Sequence, residues 1–138
     1  MRMLPGLLAL PFVLSAHADQ TTVLQAGDHA LHVEYASTPA QRERGLMDRT
    51  ELAEDGGMLF RFDEVRRHCL WMKDTTLPLS AAFMDEEGVI VDIIDLQPLS
   101  TRIRCSKEPA RYALEVNQGW FAEHGIGPGM RMEGVPRP

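Results

Sequence analysis

The 138-residue chain is poor in aromatic residues, which make up 7% of it, and it holds only two cysteines. Two cysteines exclude a disulfide-dense miniature scaffold, and without a C-x-x-C spacing a structural zinc site lacks its usual ligand pairs. Basic residues are also scarce, 14 against 20 acidic ones, for a net charge of −6. An acidic surface is repelled by phosphate backbones and anionic headgroups, so no nucleic-acid partner is expected. The densest basic stretch, Arg61 to Arg67, carries its own Asp63 and Glu64 and reads as a solvated loop or turn. There is no G-x-S-x-G nucleophile elbow, no M-x-x-M or H-x-x-M cluster, no internal repeat and no low-complexity tract. Beyond Leu14 no apolar run is long enough to span a bilayer.

What is present begins at the N-terminus. Residues 1–18 read as one early positive charge at Arg2, an apolar run from Leu4 to Leu14 and the small-x-small run Ala16-His17-Ala18. That order is the pattern of a secretory signal peptide, and Pro5 and Pro11 break the run further as a membrane helix. The expectation is a mature chain starting near Asp19, with a charge of −7 once Arg2 is removed, in the periplasm or secreted. Residues 19–138 suffice for one globular domain and are too few for two. In an oxidising compartment Cys69 and Cys105 are expected to join. The 36-residue loop they close would then stabilise the fold by roughly 3–4 kcal/mol.

Alternation of apolar and polar residues predicts strands at Leu31–Tyr35 and at Arg111–Val116. Thr38-Pro39 is an N-cap followed by proline at the first helical position, opening a short helix over Ala40–Leu46 that Gly45 can end. Gly56-Gly57 reads as a turn before a strand at Met58–Phe60. Further strands are expected at Leu70–Lys73 and Ser80–Met84, with a hairpin turn at Asp85–Gly88 into the β-branched run Val89–Leu96. Gln97–Pro109 reads as a long loop held by Cys105. Asn117 is read as the cap of a second short helix, Gln118–His124, ended by Gly125, and a turn at Ile126–Met130 leads to a last short strand. The predicted fold is mainly β, a compact sandwich or barrel-like domain with two short helices.

Six runs then carry a resemblance: Arg44-Gly45-Leu46-Met47, Gly57 to Phe60, Trp71-Met72-Lys73-Asp74-Thr75, Pro78-Leu79-Ser80, Phe83-Met84-Asp85 and Tyr112 to Gly119. In this order and spacing they resemble the bacterial and archaeal family called domain of unknown function 192, over about Val33 to Met132. The resemblance implies a compact, mainly β domain, often exported, and no established activity. The chain departs from the family pattern at Asp74, where Asn is more usual, and at Met130-Arg131, where Gly-Asp is usual.

The polar residues of these runs lie in or beside apolar strands, where a charge must be paired, hydrogen-bonded or placed at a pocket mouth. One expectation is structural: Lys73 or Arg44 pairs with Glu115 or Asp74, and Thr75 closes a turn. The other gathers Arg44, Arg49, Lys73, Asp74, Thr75 and Glu115 around a small cleft, with Trp71 and Phe60 as apolar walls for a sugar or peptide-like ligand. A carboxylate pair, Asp74 with Glu115 or Asp85 with Asp92, would suit glycoside hydrolysis. Met47, Met58, Met72, Met84, Met130 and Met132, with His29, His32, His68 and His124, are ligand types that copper selects. Core packing is the ordinary explanation for Met58, Met72 and Met84, which fall on strand-like apolar runs, and His68 reads as a solvated loop histidine. The reading preferred from sequence is a non-catalytic binding or envelope-accessory module without cofactor or metal. Its partner would be a small molecule, a glycan or an envelope protein, with a carbohydrate hydrolase or a copper protein as alternatives.

Overall fold

A computed structural model describes residues 20–137; the expected signal peptide lies outside the described residues. Eight strands and two short helices follow one another as β1 (Gln20–Ala26), β2 (His29–Ala36), α1 (Pro39–Arg44), β3 (Gly56–Arg66), β4 (Cys69–Leu70), β5 (Leu79–Met84), β6 (Ile90–Leu96), β7 (Arg104–Cys105), β8 (Ala110–Asn117) and α2 (Trp120–Glu123). Six of the strands form one sheet in the order β1-β2-β3-β8-β5-β6, and β4 and β7 form a separate two-stranded arm. All pairings are antiparallel except β2–β3, which is parallel and needs the crossover that carries α1. The mainly β expectation with two short helices is met, and the sheet is mixed and not closed into a barrel.

The helix start read at Thr38-Pro39 is present. Thr38 caps α1, accepting from the Gln41 N–H, while the Gln41 side chain accepts from the Thr38 N–H. Gly45 ends the helix at a positive φ of 48°. Several expectations need correction. Gly56 and Gly57 open strand β3 rather than forming a turn, and Arg61–Arg66 continues that strand, irregularly paired with β8, where a loop was expected. Only Leu70 of the Leu70–Lys73 segment is strand, as the end of β4, because Lys73 and Asp74 form a turn in which Asp74 takes a φ of 52°. The cap of α2 is Gly119 and not Asn117, whose side-chain amide instead donates to the Leu52 and Ala53 carbonyls. The last strand reduces to isolated bridges, Gln25 to Glu133 and Val89 to Arg131.

Strand β8 lies in the middle of the sheet, between β3 and β5, and residues on both of its faces are buried. Tyr112, Leu114 and Val116 point into one core with Leu24, Leu31, Leu59, Trp120 and Phe121. Ala113, from the alternate positions of β8, joins the opposite core with Met58, Phe60, Phe83, Met72 and Leu46. Glu115 is two residues on and shares that second face. The arm is tied across by the Cys69–Cys105 disulfide, whose cysteines are direct register partners.

Candidate functional site

Glu115 is 5% exposed, with Met58 of β3 and Ala81 of β5 as its register partners. Neither neighbour can hydrogen-bond through its side chain. Among the described residues its carboxylate makes no ion pair and no hydrogen bond of its own. Burial pushes its pKa from the ordinary 4.5 up to about 8, so the group is a neutral carboxylic acid at pH 7. The expected structural ion pair is therefore not formed.

Instead, Glu115 lines a cleft of about 230 Å³ between the sheet, α1 and the arm. Its walls are mostly apolar, from Leu46, Phe60, Phe62, Leu70, Trp71 and Met72. Two further polar groups enter. Arg44 contacts Asp48 at 3.5 Å, while its Nε is buried without a hydrogen-bond partner. Thr75 is buried, and its hydroxyl donates to the Lys73 carbonyl at 2.9 Å, leaving its oxygen free only as an acceptor. Arg42 also borders the cleft, but its donors are committed to the Ser37 and Arg61 carbonyls and to Asp63.

Of the sequence candidates, Arg44, Trp71, Thr75 and Glu115 share this cleft, and Arg49, Lys73 and Asp74 do not line it. Arg49 borders a separate open groove along β2, where it grips both carboxylate oxygens of Glu34. Lys73 is exposed, its ammonium 5.5 Å from the Trp71 ring centroid. Asp74 is exposed at a left-handed turn position, which Asn and Asp tolerate better than other side chains, so its place in the run is conformational. Phe62 and Met72 are cleft residues that sequence reasoning missed, since an apolar residue in a strand or loop signals a core and not a wall.

The remaining candidates have structural employment. Asp85 accepts from the Glu87 and Val89 amides in the β5–β6 turn, and Asp92 accepts from the Lys107 amide. Met58, Met72, Met84 and Met132 are buried in the cores. Among the described residues no group of three or more His, Cys, Asp or Glu is placed to hold a metal ion. His68 is buried and not solvated, stacked on Phe62 at 3.7 Å between centroids, with Nε2 2.8 Å from the Glu64 carbonyl. Its pKa lies below the ordinary value, mainly through burial.

A β domain built on one six-stranded mixed sheet and a two-stranded arm, with an acid-lined cleft between them, is the class that these features define. The chain belongs to the DUF192 family (Uncharacterized ACR), whose model matches residues 21–134. It is similar to a Sinorhizobium meliloti 1021 protein described as a "putative transcription regulator". The two share 43% identity and a TM-score of 0.78, over 83% of this chain and 92% of that one. It is also similar to a protein of unknown function from Novosphingobium aromaticivorans DSM 12444. Here the identity is 29% and the TM-score 0.76, over 82% of this chain and 83% of that one. No curated protein matches the chain.

Proposed function

We propose that this chain is an exported, non-catalytic binding module that holds a small molecule in the Glu115 cleft. The observation that carries the reading is a carboxyl group buried in the central strand with no partner of its own, open to a cavity lined by apolar side chains. A fold tolerates such a group against its own stability when a ligand uses it. Export rests on the signal-like residues 1–18 and agrees with the Cys69–Cys105 disulfide.

The carbohydrate-hydrolase alternative loses support because Asp85 and Asp92 are occupied by backbone amides and Asp74 stands outside the cleft. The copper alternative loses four of its six methionines, Met58, Met72, Met84 and Met132, to the cores. The reading gives the chain no DNA contact, in keeping with its acidic balance of 14 basic against 20 acidic residues, so the regulator description of the Sinorhizobium relative is not carried over.

Ligand-observed NMR against a small-molecule library tests the reading. Binders should be found that lose contact in Glu115→Leu. Binders that ignore that substitution would place the site elsewhere and contradict it.

A further inference from the structure

The donors and acceptors left over in the cleft narrow the ligand class, on the assumption that the cleft is a binding site. The Arg44 guanidinium lines the cleft, its one ion pair a 3.5 Å contact from Nη2 to Asp48, and its buried Nε–H has no acceptor. The Glu115 carboxyl, neutral at pH 7 because burial raises its pKa to about 8, is a second free donor. Thr75 has spent its hydroxyl proton on the Lys73 carbonyl. Two free donors, one of them cationic, call for an acceptor-only anionic group. The other walls, Phe60, Phe62, Leu70 and Met72, call for an apolar body. A cavity of about 230 Å³ lies below the roughly 300 Å³ at which pockets for drug-sized ligands begin, so that body is small.

We propose that the cleft takes a small monocarboxylate with an aromatic or short aliphatic body. Its carboxylate accepts hydrogen bonds from Arg44 and Glu115, and its body packs on Phe60, Phe62 and Met72. The pairing is chemically matched. A free carboxylate stays ionised at neutral pH while Glu115 keeps its proton, so donor meets acceptor with no proton to move. An amine would need the ionised Glu115 and would face Arg44. A sugar would leave most of its hydroxyls against hydrocarbon.

The other charged groups at the cleft are Arg42 and Glu43, both on α1 with Arg44. Besides Glu115, sheet and arm line it with Phe60, Phe62, Leu70, Trp71 and the disulfide-bonded Cys69, and the register partners of Glu115 are Met58 and Ala81; none of these ionises in this range. The pH response of binding is therefore assigned to Glu115.

Benzoate is the probe, with benzylamine and glucuronate as comparators, read by calorimetry and by the Trp71 indole NMR signal. Benzoate should bind, and about tenfold more weakly at pH 9 than at pH 7, as a donor with a pKa near 8 loses its proton. Arg44→Gln and Glu115→Leu should each weaken it at least about tenfold. Glu115→Gln, which keeps an N–H donor, should hold affinity within about threefold and abolish the pH response. Binding of benzylamine in place of benzoate would overturn the carboxylate, binding of glucuronate in its place would overturn the apolar body, and either would leave the cleft standing as a site. Benzoate binding indifferent to Arg44 and Glu115 would overturn it as well. Silence from all three probes and from the wider library would overturn both the ligand class and the binding reading.

Discussion

Gly57 passes beneath Glu115 so closely that a Cβ at position 57 would overlap the Glu115 carbonyl oxygen and press on Val116 Cγ1 at 3.2 Å. The close approach of β3 to β8 fixes the strand that carries the cleft's acid. Gly57→Ala should destabilise the protein by about 2 kcal/mol or more, because the obstacle is backbone and cannot rotate away. Denaturant melts check this, and a change below about 0.5 kcal/mol would show that β3 can shift.

Lys73 makes no ion pair with Glu115 and does not line its cleft. Lys73→Met should therefore leave stability within about 0.5 kcal/mol, its ring contact with Trp71 being half-exposed. Glu115→Leu should raise stability by about 1–3 kcal/mol, since an apolar side chain of similar size replaces an unpartnered buried carboxyl. A double-mutant cycle between them should give a coupling near zero, and a large coupling would restore the ion pair.

How far these features can be read from the chain depends on what each residue's neighbours are. The capping box at Thr38 and Gln41 is local chemistry and is legible, as are the β-branched run into β6 and the alternation of β8. The alternation also separates Tyr112, Leu114 and Val116 from Glu115. It cannot say that the second face is covered, because residues that cover it, Leu46 and Met72 among them, lie outside the strands and at long sequence separation. The same non-local pairing turns Gly56-Gly57 from a turn signal into a strand start. Strand β1 is a further strand that the sequence reading does not include, with Leu24 and Ala26 buried and Gln25 between them exposed. Arg44, Trp71, Thr75 and Glu115 could be nominated by residue type, whereas excluding Arg49 required seeing Glu34 beside it.

His68 and Glu115 give stability opposite pH slopes. Burial lowers the His68 pKa, so the unfolded chain binds protons more readily there, and stability is lost as pH falls below the ordinary histidine value near 6.5. Glu115 binds its proton more tightly when folded, so its contribution is fully present below pH 4.5 and is lost as pH rises towards 8. His68→Phe should flatten the acid-side loss in melts between pH 5 and about 6.5. Glu115→Gln should flatten the fall between pH 5 and 8. Unchanged slopes in both variants would reject these assignments.

The Cys69–Cys105 bridge closes a 36-residue separation and ties the arm beside the cleft. Cys105→Ser should lower stability by about 3–4 kcal/mol, and reductant should produce a similar loss in the native protein. Non-reducing peptide mapping should recover the linked pair, whereas two alkylatable thiols in freshly isolated protein would remove it.

The central claim is that Glu115 is an unpartnered, neutral acid at the floor of a binding cleft, and a ¹³C NMR titration of its side-chain carboxyl tests it most directly. The account predicts a midpoint near pH 8, unmoved by Lys73→Met. A midpoint near the ordinary 4.5 would mean that the carboxylate is solvated or paired, and would contradict the account.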